Sequence, residues 1–209
     1  MRIPPWRTSA LLTGRVLAAL LTTLLLLSAC GREEVDVVTR TGSRELGGTG
    51  DTAQVNKALT WIPVADRQLA PVASGPALSG TGTVSTGGYP GKVVVINVWG
   101  SWCGPCRLEA KDLAEASEKT AKTAAFVGLN IRDTSPDAAR AFVRAFGIGY
   151  PHIYDPNGEQ LVRFAGTLPP NGIPTTLLID KKGRIAARIV GVVDQTTLLG
   201  LIDDVAQGK

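Results

Sequence analysis

"NVWGSWCGPCRLEA", residues 97–110, places two cysteines two residues apart where an apolar run breaks into a helix. The run leading into it, "KVVVINVW" (Lys92–Trp99), is β-branched without polar alternation, as expected of a central strand buried on both faces. The residues after it, from about Cys103 to Thr120, read as a helix whose first turn carries Pro105, which pre-sets φ and has no N–H to waste. A buried strand feeding a helix that opens on Cys103-Gly104-Pro105-Cys106 points to an α/β fold. Four readings of the pair stand: half of a metal site, a haem attachment point, a structural crosslink, or a redox couple.

Structural zinc takes four ligands, and the chain offers 3 cysteines and 1 histidine, His152. Attachment of c-type haem needs a histidine directly after the second cysteine, where this chain has Arg107. A passive crosslink stays possible, although closing so short a loop removes little unfolded-state entropy. The redox reading has a mechanism. At the helix start Cys103 meets unpaired backbone N–H groups and the positive end of the helix dipole, which favour the thiolate and make it the nucleophile. Cys106 lies on the stripe Cys106, Ala110, Leu113, Ala114, Ser117, Ala121, so it should face the interior and act as the resolving thiol. Gly104 keeps the approach open. The opposite face, Arg107, Lys111, Glu115 and Lys119, reads as an ordinary solvated set.

Further along, "AAFVGLNI" (Ala124–Ile131) gives a second strand, and Ser135-Pro136 supplies the cap and first-turn proline of a helix carrying Ala139, Phe142, Val143 and Phe146. "TTLLID" and "RIAARIVG" form a hairpin about Lys181-Lys182-Gly183, and Asp194 caps a last helix reaching about Ala206. The expected order is β-α-β-α-β-β-α. Upstream, "PALSGTGTVST" (Pro76–Thr86) suggests a further hairpin. Asp155-Pro156-Asn157-Gly158 is turn chemistry, and His152 just before it reads as packing or surface.

Residues 1–29 read as an export signal: Arg2, Arg7 and Arg15 without an acid, then the apolar stretch Val16–Leu27, too short to span a bilayer. It ends in Leu27-Ser28-Ala29-Cys30, which resembles the bacterial lipoprotein box, so Cys30 is the expected lipidation site and the membrane the expected anchor. Removing that segment leaves 19 basic against 18 acidic residues out of the original 22 and 18, a net charge of +1. With no basic patch interleaved with aromatics, a nucleic-acid role is not inferred. Residues 30–60 are Gly-, Thr- and charge-rich and read as a flexible tether reaching roughly 30 Å, before a folded domain over 61–209. The compartment implied is the extracytoplasmic face of a bacterial envelope, where disulfides persist.

Trp102-Cys103-Gly104-Pro105-Cys106 resembles the thioredoxin active-site motif, and Gly172-Ile173-Pro174-Thr175-Thr176 resembles the cis-proline loop of that superfamily. The likeness covers residues 77–206. The export signal, the lead-in hairpin and the longer middle segment are similar to the TlpA-like, ResA-like branch of membrane-tethered thiol-disulfide oxidoreductases, which includes reductants of apocytochrome c in cytochrome c maturation. The resemblance implies a thioredoxin-like α/β fold, a central mixed sheet flanked by helices, with an N-terminal β-hairpin extension and a middle insertion. It implies a cis Pro174 beside the sulfurs and an Ile173 backbone that pairs with extended substrate. Trp102, Gly104 and Pro105 would form the rest of the contact surface, with Trp102 part-exposed beside Cys103 and Trp99 packed near the site as a core aromatic.

Two departures matter. Thioredoxins proper carry a buried aspartate six residues before the first cysteine, and this chain has Asn97, an amide that cannot do acid–base work. A carboxylate at the same sheet edge should replace it; Asp133, just past the second strand, is the candidate proton relay, with a solvated loop aspartate as the alternative. Lys111 stands where many of these chains have a kinking proline, so the helix should be straighter. No flavin, nicotinamide or metal motif is present; the disulfide itself is the expected redox group, fed by a membrane electron donor. The expected function is a protein disulfide reductase, with a general envelope reductase, an oxidant or an isomerase as same-class alternatives. A non-catalytic tethered binding module with a structural disulfide is the alternative from another class.

Overall fold

The computed structural model describes residues 58–169 and 171–209. The expected signal, Cys30 and the tether as far as residue 57 lie outside them. The described strands are β1 (Ala58–Trp61), β2 (Ser74–Pro76), β3 (Thr83–Ser85), β4 (Val93–Trp99), β5 (Ala124–Ile131), β6 (His152–Asp155), β7 (Thr175–Ile179) and β8 (Ile185–Val190). The described α-helices, numbered here in chain order, are α1 (Gly104–Lys119), α2 (Pro136–Ala145), α3 (Glu159–Val162) and α4 (Gln195–Ala206). Among the described residues no helix is long and apolar enough to cross a membrane.

Six strands form one sheet in the order β1-β8-β7-β4-β5-β6, with β4, β5 and β6 parallel and β1, β8, β7 and β4 successively antiparallel. This is the thioredoxin-like mixed sheet that the resemblance implies. All seven residues of β4 are buried, and their alternation splits the core in two. Val93, Val95 and Trp99 point to one face, with Cys106, Ala110 and Leu113 of α1, Phe142 of α2, and Leu198 and Ile202 of α4. Val94, Ile96 and Val98 point to the other, with Phe164, Leu168 and Ala73. Burying a side chain of this size on each face contributes about 1.5–3 kcal/mol apiece, so β4 anchors the active-site loop that follows it.

The capping chemistry is as expected. The Ser135 side chain accepts from Asp137 N ahead of Pro136, and Asp194 accepts from Thr197 N at the start of α4. The lead-in hairpin forms from β2 and β3, though it begins two residues before Pro76. Three features differ from the expected order. Ala58–Thr60, assigned to the tether, belong to edge strand β1, whose pairing with Arg188–Val190 is long-range. "HIYD" becomes strand β6 because β5 offers it a free parallel edge, with Gly128 opposite His152. It is followed by the short helix α3, whose first N–H groups at Gln160 and Leu161 are capped by Asp155 Oδ2 at 2.9 and 3.0 Å. The inserted middle segment thus contributes α2 and β6, and the hairpin covers the outer edge of β6 through Leu78 N–H donating to the His152 carbonyl at 2.9 Å. On α1 the buried set is Cys106, Glu109, Ala110, Leu113, Ala114 and Ala116. Ser117 is half-buried and Ala121 exposed, so the inward stripe sits one position off the expected one along its second half.

Candidate active site

Strand β4 ends at Trp99, and four residues later Cys103 stands as the N-cap of α1, its Sγ accepting from Cys106 N–H at 3.2 Å. Cys103 N–H donates to the Gly100 carbonyl at 3.1 Å, closing the connecting turn. Cys103 and Cys106 are joined in a disulfide with Cα atoms 5.3 Å apart. Both are covered in this state, at 4% and 2% exposure, so residue exposure does not separate the reachable thiol from the interior one. The separation comes from the backbone: Cys103 is at the positive end of α1, with Gly104 and Pro105 exposed beside it and nothing within 4 Å of where a Gly104 side chain would begin. Trp102 is 52% exposed, and its indole N–H donates to the Ile131 carbonyl at 3.3 Å. Gly100 makes that fold possible, because a Cβ there would lie 2.6 Å from the indole nitrogen.

The Ile173–Pro174 bond is cis, and the Pro174 carbonyl accepts from Gly191 N–H at 2.9 Å. Since Thr175 pairs with Val98, Pro174 falls at the end of β4 that runs into the cysteine loop. Ile173 packs against the cluster containing Cys103 and Cys106. The structure therefore brings together Trp102, Cys103, Gly104, Pro105, Cys106, Ile173 and Pro174 at one edge of the sheet.

Asp133 arrives at the same edge as expected, held there by hydrogen bonds. It is 4% exposed, and its carboxylate accepts from Ser101 N–H at 2.9 Å, from the Ser101 hydroxyl, and from the Asn130 amide at 2.6 Å. It is no solvated loop residue. Its bonds tie the residue two before Cys103 to the end of β5. Lys111 makes an exposed pair with Glu115 at 3.8 Å, and α1 runs without interruption past it.

The group that sequence reading missed is Glu109. It lies one turn beyond Cys106 on the buried side of α1, where residues three apart have Cβ atoms about 5–6 Å from each other. It is fully buried. One carboxylate oxygen accepts from the Asn97 amide at 2.8 Å and the other from Val193 N–H at 3.0 Å, while Asn97 also reaches the Thr176 hydroxyl at 3.3 Å. Burial raises the Glu109 pKa to about 8; the bonds from Val193 and Asn97 hold it down, and Asp112 pushes it further up. A carboxyl whose pKa is raised to about 8, one helical turn from Cys106, is suited to exchange a proton with that cysteine once it is a thiol. The signal was Asn97 itself: an amide inside a strand buried on both faces needs a polar partner, and α1 has few inward polar positions.

On the sheet face behind the site, Trp99 donates its indole N–H to His152 Nδ1 at 3.1 Å and stacks on Phe142 at 4.6 Å. Burial lowers the His152 pKa to about 3, which keeps the imidazole neutral. Gly128 leaves the space for the ring, since a Cβ there would fall 1.9 Å from Nδ1.

Comparison with known proteins agrees with this fold. The Redoxin family model matches residues 65–203. The chain belongs to the Redoxin family. Among its curated relatives, the thiol:disulfide interchange protein HelX of Rhodobacter capsulatus is 31% identical over 118 residues, which are 56% of this chain and 63% of HelX. The thiol-disulfide oxidoreductase ResA of Bacillus thuringiensis is 30% identical over 112 residues, 54% of this chain and 62% of ResA. The chain thus spans less than two thirds of the length of either. A DsbF homologue from Corynebacterium diphtheriae superposes with a TM-score of 0.67 at 35% identity, covering 76% of this chain and 99% of that one.

Proposed function

We propose that this Redoxin-family chain is an extracytoplasmic thiol-disulfide oxidoreductase that exchanges disulfides with protein substrates through Cys103 and Cys106. The observation that carries the reading is the disulfide at the N-terminus of α1 with the buried carboxyl of Glu109 one turn behind its second cysteine. As a reductant, the Cys103 thiolate attacks a substrate disulfide, forming a Cys103–substrate bond and expelling one substrate thiolate. Cys106 then loses its proton to the Glu109 carboxylate and attacks the Cys103 sulfur, closing the Cys103–Cys106 disulfide and releasing the second substrate thiolate. Asp133 holds Ser101, and with it the approach to Cys103; Trp102, Ile173 and Pro174 form the surface against which an extended substrate segment lies.

The Gly104-Pro105 centre, which resembles that of reducing thioredoxins, favours a reductant, and apocytochrome c would be its substrate class in cytochrome c maturation. A membrane electron donor returns the couple to the dithiol, and acylated Cys30 holds the domain at the membrane. The redox group is the cysteine pair, with no further cofactor required by this chemistry. Insulin reduction by the wild type and Cys103→Ser tests the activity: turnover abolished in the variant is the expected result, whereas equal or absent turnover in both points to a tethered binding module with a structural disulfide. The reduction potential of the pair separates reductant from oxidant or isomerase, and haem staining of c-type cytochromes in a deletion strain tests the substrate. Mass spectrometry should find a lipid-modified N-terminal Cys30, and an unmodified thiol there would remove the anchor from the account.

A further inference from the structure

Three consecutive residues at the end of β5 reach the two loops that frame the cysteine site. The Ile131 carbonyl accepts from the Trp102 indole N–H at 3.3 Å, and the Asp133 carboxylate accepts from Ser101 N–H at 2.9 Å. Between them, Arg132 donates from Nη2 to Asn171 Oδ1 at 3.1 Å. Side chains alternate in direction along an extended strand, so three such attachments need a break in the pattern. Arg132 supplies it with φ 57°, the one non-glycine residue in the left-handed region among the described residues. There a Cβ crowds the following carbonyl, an arrangement that persists only where surrounding contacts hold it and that clusters at functional sites. Here the Asn130 amide bonds the Asp133 carboxylate at 2.6 Å, and the Tyr154 hydroxyl donates to the Asp133 carbonyl at 2.8 Å.

The bond from Arg132 to Asn171 crosses the edge of the sheet. Arg132 follows β5 and Asn171 precedes β7, and these strands lie on either side of β4, whose end runs into the cysteine loop. Two strand spacings, about 10 Å, separate β5 from β7, a span that suits a side chain as long as arginine. Beyond Asn171 the hold is passed on through a tight turn. Gly172 N–H donates to the Pro169 carbonyl at 3.2 Å, and the Thr175 hydroxyl donates to the Gly172 carbonyl at 2.6 Å. A Cβ at Gly172 would fall 2.5 Å from the Pro169 ring, so the turn is closely packed where it leads into Ile173 and Pro174.

We propose that Arg132 is a positioning residue for polypeptide substrate: it ties the loop that carries Ile173 and Pro174 to the loop that carries Trp102, and so sets the width of the groove in which an extended disulfide-bearing segment lies. The inference rests on the disulfide exchange proposed above. Arg132 acts through Asn171 and takes no part in the electron or proton transfers at Cys103 and Cys106. Its effect therefore falls on substrates long enough to touch both loops, and not on a disulfide that meets Cys103 alone.

The test mixes the reduced full chain, held in phospholipid nanodiscs, with two disulfides in stopped flow: a short extended peptide whose cysteine is linked to a fluorescence quencher, and dithiodipyridine, which is too small to touch both loops. Arg132→Ala should raise the half-saturating peptide concentration about two- to fivefold, the scale of one exposed hydrogen bond from a charged group, and leave the maximal rate within about twofold. Attack on dithiodipyridine should be unchanged. Asn171→Ala should act in the same way, and the double variant should be no worse than either single one, because both remove one bond. Arg132→Gly relieves the left-handed backbone, so it should melt at a higher temperature than Arg132→Ala while raising the half-saturating concentration by the same factor. Unchanged half-saturation in Arg132→Ala, additive losses in the double variant, slowed attack on dithiodipyridine, or peptide binding that recovers with stability in Arg132→Gly would overturn the inference. A wild type that attacks neither disulfide would overturn the oxidoreductase reading, and this inference with it.

Discussion

Two buried carboxyl groups lie near the cysteine pair, and their surroundings differ. Asp133, at the end of β5, accepts three hydrogen bonds, two of them from Ser101, and its bonds end on the loop that carries Cys103. Glu109, inside α1, accepts from Asn97 and Val193 among the described residues, and burial raises its pKa to about 8. The first environment fixes geometry; the second leaves a proton free to move near neutral pH. On the proposed reading, the missing acid at Asn97 is replaced from the helix rather than from the sheet edge, because the helix places its carboxyl on the same buried face as Cys106.

The largest effect expected from this contrast is kinetic. Glu109→Gln keeps the shape and the acceptor at one oxygen but cannot take a proton, so closure of the Cys103–Cys106 bond should slow by ~10² or more, the usual cost of losing a positioned acid–base group. First attack by Cys103 should change far less. Rapid-quench alkylation of the mixed disulfide measures both steps. A normal rate of closure in this variant would move the proton transfer elsewhere.

Stability should carry the same signature with pH. Glu109 has a folded pKa of about 8 against an ordinary 4.5, so the folded state holds its proton more tightly and loses stability as pH rises between those values. His152, lowered from 6.5 to about 3, acts the other way: the unfolded state takes its proton more readily, so stability rises with pH from about 3 to 6.5. The two cancel where they overlap. The unfolding free energy should therefore climb from pH 3 to about 4.5, stay level to about 6.5, and fall from there to about 8, at up to ~1.4 kcal/mol per pH unit. Chemical denaturation across this range should show the fall, and Glu109→Gln should abolish it while leaving the acid limb intact. A decline above pH 6.5 that survives in the variant would separate it from Glu109.

Asp133→Asn should produce a smaller and differently placed effect. It weakens charge-assisted bonds to Ser101, each worth about 1.5–3 kcal/mol at most, and loosens the approach to Cys103 without touching the proton on Cys106. First attack should slow by several-fold, and the pH profile of closure should keep its ionisation. Smaller still is the contrast between the two thiols in the reduced protein: Cys103 should alkylate faster than Cys106 because of its place at the helix start, and equal rates would remove the distinction of roles.

The framework of the site was legible because it rests on local chemistry. β4, the start of α1, the caps at Ser135 and Asp194, and the β7–β8 hairpin all follow from short-range pattern, and Cys103, Cys106 and Pro174 from motif. What was hidden depends on distant partners. Strand β6 is only four residues among turn formers and exists because β5 pairs with it; β1 likewise needs β8. Glu109 reads as an ordinary helical glutamate until Asn97 and Val193 are brought over it. Asp133 was placed at the correct edge, but its hydrogen bonds to Ser101 come from a turn whose shape no spacing rule supplies.

The central claim is that Glu109, and not Asp133, handles the Cys106 proton. Stopped-flow closure of a preformed Cys103 mixed disulfide, followed from pH 6 to 9.5 in the wild type, Glu109→Gln and Asp133→Asn, tests it most directly. The account predicts a rate that rises through an ionisation near pH 8 in the wild type and in Asp133→Asn, and a slow rate without that step in Glu109→Gln. Loss of the step in Asp133→Asn with its retention in Glu109→Gln would contradict the account and return the relay to the sheet edge.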